Sequence, residues 1–190
     1  MIEKKRETKE TKIALKLDID GSGKSAVSTG VGFFDHMLES FSKHALFDLE
    51  VVCEGDTHVD DHHTVEDVGI VLGQALNEAV YPVKGVERFG DSVVVMDEAA
   101  VACAMDLSNR PYLVYEIEVE GKVGQFDVEL AEEFFKALTF NASITVHMNA
   151  LRGKNRHHIV EAAFKAYAVA LRRALAPNAK AGVPSTKGIL

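Results

Sequence analysis

The sequence predicts an α+β protein made of two duplicated half-domains, each a mainly antiparallel sheet with helices packed on one face. Two kinds of apolar periodicity support this fold class, because some stretches alternate as strands do and others repeat every three or four residues as helices do. A third observation is a motif, His-His-x-x-Glu, which occurs at His62 and again at His157. The two copies are 95 residues apart (157 − 62), half of the 190-residue chain, which indicates an internal duplication.

The first half contains two predicted strands and two predicted helices. Residues 13–20 alternate between apolar and polar side chains, the pattern of a strand with one face in solvent. Residues 32–44 are predicted to form a helix and residues 47–53 a second strand, which ends before Gly55. From Asp61 onward apolar residues recur at intervals of three and four, as in an amphipathic helix, and Asp60 or Asp61 is its predicted N-cap.

The second half repeats this order after opening with three strands. Its predicted strands are 92–97, 99–107, 112–120 and 143–151, and its predicted helices cover 129–140 and the stretch from the second motif to Pro177. Residues 132–135 resemble residues 32–36, at an offset similar to the one between the two motifs, so the duplication extends beyond the motif. We therefore predict half-repeats at 1–90 and 91–190 that together form one compact catalytic unit.

The composition limits the kinds of partner that this protein can have. With 21 Lys and Arg against 29 Asp and Glu, the formal net charge is −8, which argues against a general affinity for nucleic acids or anionic membranes. The first residues are charged, and no apolar run approaches the ~18 residues that a membrane span needs. We expect a cytoplasmic protein in which any anionic ligand requires a local basic site.

The paired histidines predict a dinuclear metal site. Adjacent residues on a helix point about 100° apart, so one motif cannot easily aim both imidazoles at the same ion. It can offer one ring to each of two ions, and the second copy can complete both sites. Imidazole and carboxylate ligands without Cys favour Mn²⁺, Fe²⁺ or Zn²⁺. Asp60, Asp61 and Asp67 could orient the imidazoles or simply cap the helix, and His147 is expected to be a hydrogen-bonded core residue.

A second theme is anion binding near the C-terminus. Pro184-Ser185-Thr186-Lys187-Gly188 combines two hydroxyls, an ammonium group and a glycine that lets backbone N–H groups approach a ligand. Arg88 and Arg110 lie at predicted strand edges or turns, where a guanidinium can hold a phosphate by two hydrogen bonds. From these residues alone, a dinuclear phosphate-ester hydrolase and a non-enzymatic metal-binding assembly both remain open.

Four long segments, in the same order, resemble the imidazoleglycerol-phosphate dehydratase family. They are Gly32-Phe33-Phe34-Asp35-His36-Met37-Leu38, Asp60-Asp61-His62-His63-Thr64-Val65-Glu66-Asp67, Asn155-Arg156-His157-His158-Ile159-Val160-Glu161-Ala162 and Pro184-Ser185-Thr186-Lys187-Gly188. The resemblance implies a ribosomal protein S5 domain 2-like fold with four-stranded sheets. It also implies a lyase of histidine biosynthesis that converts D-erythro-imidazole glycerol phosphate to imidazole acetol phosphate, with two Mn²⁺ per subunit and a 24-subunit homo-oligomer whose sites lie between subunits.

Carried over residue by residue, the resemblance implies three groups of site residues. The metal ligands are His36, His62, His63, Glu66, Glu133, His157, His158 and Glu161, and some family members carry His at the position of Glu133. The substrate and its phosphate are bound by Glu10, Arg88, Arg110, Ser185, Thr186 and Lys187. Glu10 is the expected catalytic base, and Glu66 and Glu161 are also assigned to catalysis. Asn109 stands where the family usually has glycine before Arg-Pro.

Overall fold

The computed structural model describes residues 1–188, which form two four-stranded sheets, a short two-stranded ribbon and four helices. The strands are β1 (Ile2–Glu7), β2 (Thr11–Asp18), β3 (Ser25–Ser28), β4 (Asp48–Gly55), β5 (Phe89–Met96), β6 (Ala99–Asp106), β7 (Tyr112–Glu116), β8 (Lys122–Val123), β9 (Phe126–Asp127) and β10 (Thr145–Arg152). The helices are α1 (Gly32–Ala45), α2 (His62–Val80), α3 (Leu130–Asn141) and α4 (Arg156–Ala174).

The two large sheets have the same topology. Their strand orders are β1-β2-β4-β3 and β5-β6-β10-β7. In each sheet the first strand is antiparallel to the second and the second to the third, whereas the fourth runs parallel to the third. The predicted fold class, two duplicated half-domains with mainly antiparallel four-stranded sheets, is therefore confirmed.

The helices lie between the two sheets. Helices α1 and α2 pack on the first sheet, α3 and α4 pack on the second, and the two helical layers meet through α1 against α4 and α2 against α3. The alternation within the strands determines which face is covered, since Ile13, Leu15 and Leu17 of β2 are buried while the residues between them are more exposed. The helices that carry the two histidine motifs are thus held in the centre of the molecule.

Two glycines allow α2 to approach α3 closely. A Cβ atom at Gly73 would lie 2.6 Å from Cβ of Asn141 and 2.7 Å from the carbonyl oxygen of Leu138. A Cβ at Gly69, one turn earlier, would lie 2.9 Å from Cβ of Ala137. Because no side chain fits at these distances, glycine at both positions determines how near the motif helix lies to α3.

Several local predictions were incomplete or wrong. Strand β1 was not predicted, because the five consecutive charged residues after Ile2 give it little apolar character, and β7 ends at Glu116 instead of at residue 120. The expectation that His147 is a core residue was wrong. Its side chain is exposed, because β10 directs Val146 and Met148 into the core and the residue between them outward. Within residues 1–188, no helix is long and apolar enough to cross a membrane.

Candidate metal centre and anion-binding cavity

Both histidine motifs occupy the first turn of a helix. The carboxylate of Asp60 accepts a hydrogen bond of 2.8 Å from the backbone N–H of His62. At the second motif the side-chain oxygen of Asn155 accepts from the backbone N–H groups of His157 and His158, at 2.9 and 3.4 Å. These caps satisfy N–H groups that a helix leaves unpaired, and they fix where each pair of imidazoles begins.

Within each motif the two imidazole rings diverge. The rings of His62 and His63 are 6.2 Å apart at an interplanar angle of 83°, and those of His157 and His158 are 6.1 Å apart at 79°. This divergence follows from the ~100° rotation between adjacent helical residues. Each motif therefore presents its two rings in different directions, as the helix geometry predicted.

One group of three predicted ligands is already assembled within the chain. His36 of α1 joins His157 and Glu161 of α4, and one donor atom from each lies within 4.8 Å of the other two. Glu161 Oε2 is 2.9 Å from Nε2 of His157 and 3.6 Å from Nε2 of His36. Since these residues come from helices of different half-repeats, the group depends on the packing of α1 against α4.

The carboxylate of Glu161 is buried and ionised. Its other oxygen, Oε1, lies 2.7 Å from Nζ of Lys165, one turn further along α4. Burial acts to raise the pKa of Glu161, but hydrogen bonds from Lys165 and His157 outweigh it, so the pKa lies below its usual value. An anionic carboxylate beside two imidazoles is a donor set suited to a divalent transition metal.

The equivalent residues of the first motif are less closely grouped. His62 Nε2 lies 3.6 Å from Glu66 Oε2, the same i, i+4 relationship that His157 and Glu161 have. The carboxylate of Glu133, however, lies 3.6 Å from Nζ of Lys136 on its own helix. Among the described residues, the group of His36, His157 and Glu161 is the one set of three donors within 4.8 Å of one another.

The second histidine of each motif has a carboxylate on its Nδ1 atom. Asp56 Oδ2 lies 3.0 Å from Nδ1 of His63, and Glu98 Oε2 lies 2.8 Å from Nδ1 of His158. These hydrogen bonds raise the pKa of both histidines. The hydrogen bond from His158, together with three from backbone N–H groups, lowers the pKa of Glu98 to about 2.

Asp56 and Glu98 were missed in the sequence, where Asp60, Asp61 and Asp67 were the carboxylates expected to orient imidazoles. Asp67 instead accepts hydrogen bonds from Arg6, at 3.1 Å, and from Thr11. Glu98 is 60 residues from His158 and lies in the turn between β5 and β6. No local pattern links it to the motif, because the contact exists only once the sheet has formed.

Glu10 lies at the turn between β1 and β2. Its carbonyl oxygen accepts a 3.0 Å hydrogen bond from the backbone N–H of Asp56, and its own N–H donates to Thr8 Oγ1 at 3.1 Å. Its carboxylate is half exposed and lies 3.8 Å from Nε2 of His63. Glu10 is thus part of an ordered turn beside a predicted ligand and not part of a frayed terminus.

The residues predicted to bind phosphate line one open cavity of about 880 Å³. They are Arg88, Arg110, Ser185, Thr186 and Lys187, accompanied by Ser108, Asn109, Val183 and Pro184. Asn109 has φ +53°, a conformation that glycine adopts freely and that Asn tolerates better than most residues. The departure from the family's glycine therefore leaves the turn before Arg110 intact.

The two arginines of the cavity differ in how they are held. Arg88 donates two hydrogen bonds to Asp106, at 2.7 and 3.1 Å, and a third of 2.7 Å to the carbonyl oxygen of Pro184. The hydrogen bond to Asp106 raises the pKa of Arg88. Arg110, by contrast, has a side chain that is 68% exposed. Arg88 therefore secures the 184–187 segment, while Arg110 is accessible to a ligand.

The chain is similar to one known family in both sequence and fold. Residues 29–171 match the family model described as imidazoleglycerol-phosphate dehydratase. The chain is 66% identical to the imidazoleglycerol-phosphate dehydratase of a Nitratiruptor species over all 190 residues of both chains, and 67% identical to that of Campylobacter concisus, covering 98% of it.

Two solved structures are also similar. The crystal structure of imidazoleglycerol-phosphate dehydratase from Staphylococcus aureus has a TM-score of 0.82 and 41% identity, and the match covers 93% of this chain and 98% of that one. The enzyme from Pyrococcus furiosus has a TM-score of 0.84 and 37% identity, with 98% and 100% covered.

Proposed function

The chain belongs to the imidazoleglycerol-phosphate dehydratase family, and we propose that it catalyses the metal-dependent dehydration of D-erythro-imidazole glycerol phosphate to imidazole acetol phosphate in histidine biosynthesis. The observation that carries the proposal is the convergence of His36, His157 and Glu161 from two half-repeats. We further propose that the protein acts in the cytoplasm, and that half-repeats 1–90 and 91–190 work as one catalytic unit because this group draws on both.

The donors present fit a divalent metal. Two imidazole nitrogens and one buried anionic oxygen within 4.8 Å of one another suit Mn²⁺, and we propose two Mn²⁺ per subunit. One centre would contain His36, His157 and Glu161, and a second, related by the duplication, would contain His62, Glu66 and Glu133. His63 and His158 would complete the centres through Nε2. Ions bound there would supply Lewis-acid polarisation of a coordinated imidazole.

Glu10 is the group that we assign to proton transfer. The dehydration removes hydroxide from the carbon attached to the imidazole ring and a proton from the next carbon. That second carbon keeps its own hydroxyl, so the resulting enol becomes the ketone of imidazole acetol phosphate. The Glu10 carboxylate is half exposed, and its oxygen lies 3.8 Å from Nε2 of His63. Among the described residues it accepts no hydrogen bond, so it can reach a substrate. Glu161 is less suited to proton transfer, because Lys165 contacts one of its carboxylate oxygens and His157 contacts the other. We therefore assign Glu161 to metal binding.

The open cavity is proposed to hold the substrate phosphate, which the reaction retains. Arg110 and Lys187 would provide charge, and Ser185 and Thr186 would provide hydroxyl donors. Arg88 would act chiefly by fixing the Pro184 carbonyl, with its remaining N–H groups facing the ligand. The reaction releases water and leaves the phosphate ester intact. The cavity therefore has to bind the phosphate tightly but does not have to place a nucleophile next to the phosphorus atom.

We propose that complete sites form between subunits of a homo-oligomer, a 24-subunit shell. None of the described residues that line the phosphate cavity is a predicted metal ligand, so one chain does not join the two regions in a single pocket. The outer face of the second sheet also exposes Val93 and Val95 at 61% and 69%, as expected of a surface that another subunit covers.

The decisive experiment is to incubate purified, Mn²⁺-loaded protein with imidazole glycerol phosphate and to measure ketone and inorganic phosphate separately. We expect ketone without phosphate release. Phosphate release without ketone would instead indicate a dinuclear hydrolase, and no turnover with stoichiometric tight metal would indicate a metal-binding assembly. A metal count of two per subunit supports the duplicated site.

A further inference from the structure

We propose that Glu98 and Asp56 are positioning residues that hold His158 and His63 in one tautomer, with the proton on Nδ1 and with Nε2 free to bind a metal ion. The inference rests on the proposed function, since it takes both histidines as ligands. It adds two residues, neither of them in the duplicated motif, whose task is to decide which imidazole nitrogen is available.

Glu98 divides its two oxygens between two tasks. Oε1 accepts the backbone N–H groups of Lys154 and Asn155, at 3.1 and 2.7 Å, while Oε2 lies 2.8 Å from Nδ1 of His158. Asn155 in turn caps α4 by accepting from the backbone N–H of His157. One carboxylate therefore holds the loop before α4 and the imidazole on the first turn of that helix.

Asp56 makes the corresponding contact in the first half. Its carboxylate oxygens lie 3.2 and 3.0 Å from Nδ1 of His63, and its backbone N–H donates to the carbonyl oxygen of Glu10. On the opposite side of each ring, Nε2 is beyond hydrogen-bond distance of its nearest carboxylate, 3.8 Å for Glu10 beside His63 and 3.9 Å for Asp97 beside His158. In both halves Nδ1 is occupied and Nε2 is not hydrogen-bonded to a carboxylate.

This shared arrangement is not inherited from the duplicated sequence. His63 and His158 are 95 residues apart (158 − 63), as the duplication requires, but Asp56 and Glu98 are only 42 apart (98 − 56). Asp56 follows β4, whereas Glu98 lies between β5 and β6. Two positions that the duplication does not relate each place a carboxylate on the Nδ1 atom of the second histidine. What the two contacts share is the imidazole nitrogen that they occupy.

The chemical reason is that a neutral imidazole carries one proton on either nitrogen. An ionised carboxylate can accept a hydrogen bond but cannot donate one. A carboxylate beside Nδ1 therefore favours the tautomer with the imidazole proton on Nδ1 and a lone pair on Nε2. Partners of this kind typically contribute 10- to 100-fold in metal affinity. Glu98 and Asp56 would therefore prepare two ligands before any ion arrives.

Glu98→Gln tests the tautomer directly, because the surrounding backbone N–H groups determine the orientation of the glutamine amide. The two N–H groups of Lys154 and Asn155 require an acceptor, so the amide oxygen takes the place of Oε1 and the NH₂ group faces Nδ1. That NH₂ donates to Nδ1 and moves the imidazole proton to Nε2, the nitrogen that should bind metal. We expect Mn²⁺ affinity at one of two sites to fall about 10- to 100-fold in equilibrium dialysis.

Two variants separate the tautomer from simple loss of charge. Asp97→Asn removes a negative charge from the same turn without touching the Nδ1 contact, and Asn tolerates the φ of +48° at this position. Asp56→Asn leaves the amide free to rotate and keep its oxygen on Nδ1. We expect each of these two variants to weaken Mn²⁺ binding less than about threefold, because each removes one negative charge in contact with solvent, where charge interactions are weak. Equal losses in all three variants would overturn the tautomer assignment, as would unchanged affinity in Glu98→Gln.

A second readout needs neither activity nor metal. In ¹⁵N-histidine-labelled, metal-free full-length protein, at a pH above which the His158 signals no longer change, His158 should show a protonated Nδ1 in the native chain and a protonated Nε2 in Glu98→Gln. Its signal is assigned by its absence in His158→Gln. A native His158 protonated on Nε2 overturns the inference, even if Glu98→Gln fails to fold. Failure of the native chain to bind Mn²⁺ would overturn the proposed metal chemistry, and the nitrogen shifts would still decide the positioning of His158.

Discussion

The carboxylate of Asp106 accepts two hydrogen bonds from the guanidinium of Arg88, at 2.7 and 3.1 Å, and both side chains are largely buried, with 19% and 14% of their surfaces exposed. Through its third hydrogen bond, to the Pro184 carbonyl, Arg88 connects the end of β6 to the segment that lines the cavity proposed to hold phosphate. The shape of the cavity proposed to hold phosphate therefore depends on this ion pair.

Asp106→Asn should weaken both the fold and phosphate binding. The variant loses one strong acceptor and leaves the Arg88 charge without a partner, which should lower the free energy of unfolding by about 1–3 kcal/mol. KM for the phosphorylated substrate should rise as well. Urea denaturation at fixed protein concentration measures the first effect. Glu50→Gln, which removes one side of the exposed Lys16–Glu50 pair, is the control and should cost less than about 1 kcal/mol.

Lys187→Ala should impair substrate binding without affecting the metal. Lys187 lines the cavity, and loss of a charge-assisted hydrogen bond to phosphate should raise KM about tenfold or more. Steady-state kinetics and metal analysis of the same preparation test this together. Lys180→Ala changes an exposed lysine in the preceding segment and should leave KM unchanged. A fall in metal content of Lys187→Ala would contradict the separation of the two regions.

His62→Ala and His158→Ala should each abolish metal binding and assembly, because ligands from different subunits are proposed to join the oligomer. Light scattering and metal analysis would show smaller, metal-poor particles. His58→Ala, which alters an exposed histidine before α2, should assemble normally. Intact and fully loaded oligomers of the first two variants would count against shared sites.

Gly73→Ala should destabilise the protein although alanine is the better helix former by about 1 kcal/mol. The added Cβ would lie 2.6 Å from Cβ of Asn141, so α2 and α3 would have to separate, at a cost of about 1–3 kcal/mol. Thermal unfolding should show a lower Tm. Gly32→Ala is the matched control, because no heavy atom lies within 4 Å of its added Cβ. Equal or higher stability of Gly73→Ala would show that the helices can adjust.

Much of the fold was predictable because its evidence is local. The alternation in β2 and the three-and-four spacing of α2 express which side of an element is buried, and this pattern is present in any window of the sequence. The 95-residue offset of the two motifs then indicated that the same unit occurs twice. The proposed phosphate-binding group was suggested in part by a local pattern, since Ser185, Thr186 and Lys187 adjoin one another, and the structure places them on one cavity with Arg88 and Arg110.

The tertiary structure decided which of these groups meet. The sequence by itself determined the fold class, the presence of a helix at each histidine motif, and the divergence of adjacent imidazoles, because all three follow from backbone periodicity. It did not determine that His36 joins His157, that Glu98 and Asp56 occupy the Nδ1 atoms of His158 and His63, or that Asp67 binds Arg6. Three of these contacts join residues far apart in the chain, and Asp56 and His63, although only seven residues apart, lie on either side of the loop between β4 and α2. The geometry of each contact depends on how these elements pack, which residue order alone does not specify.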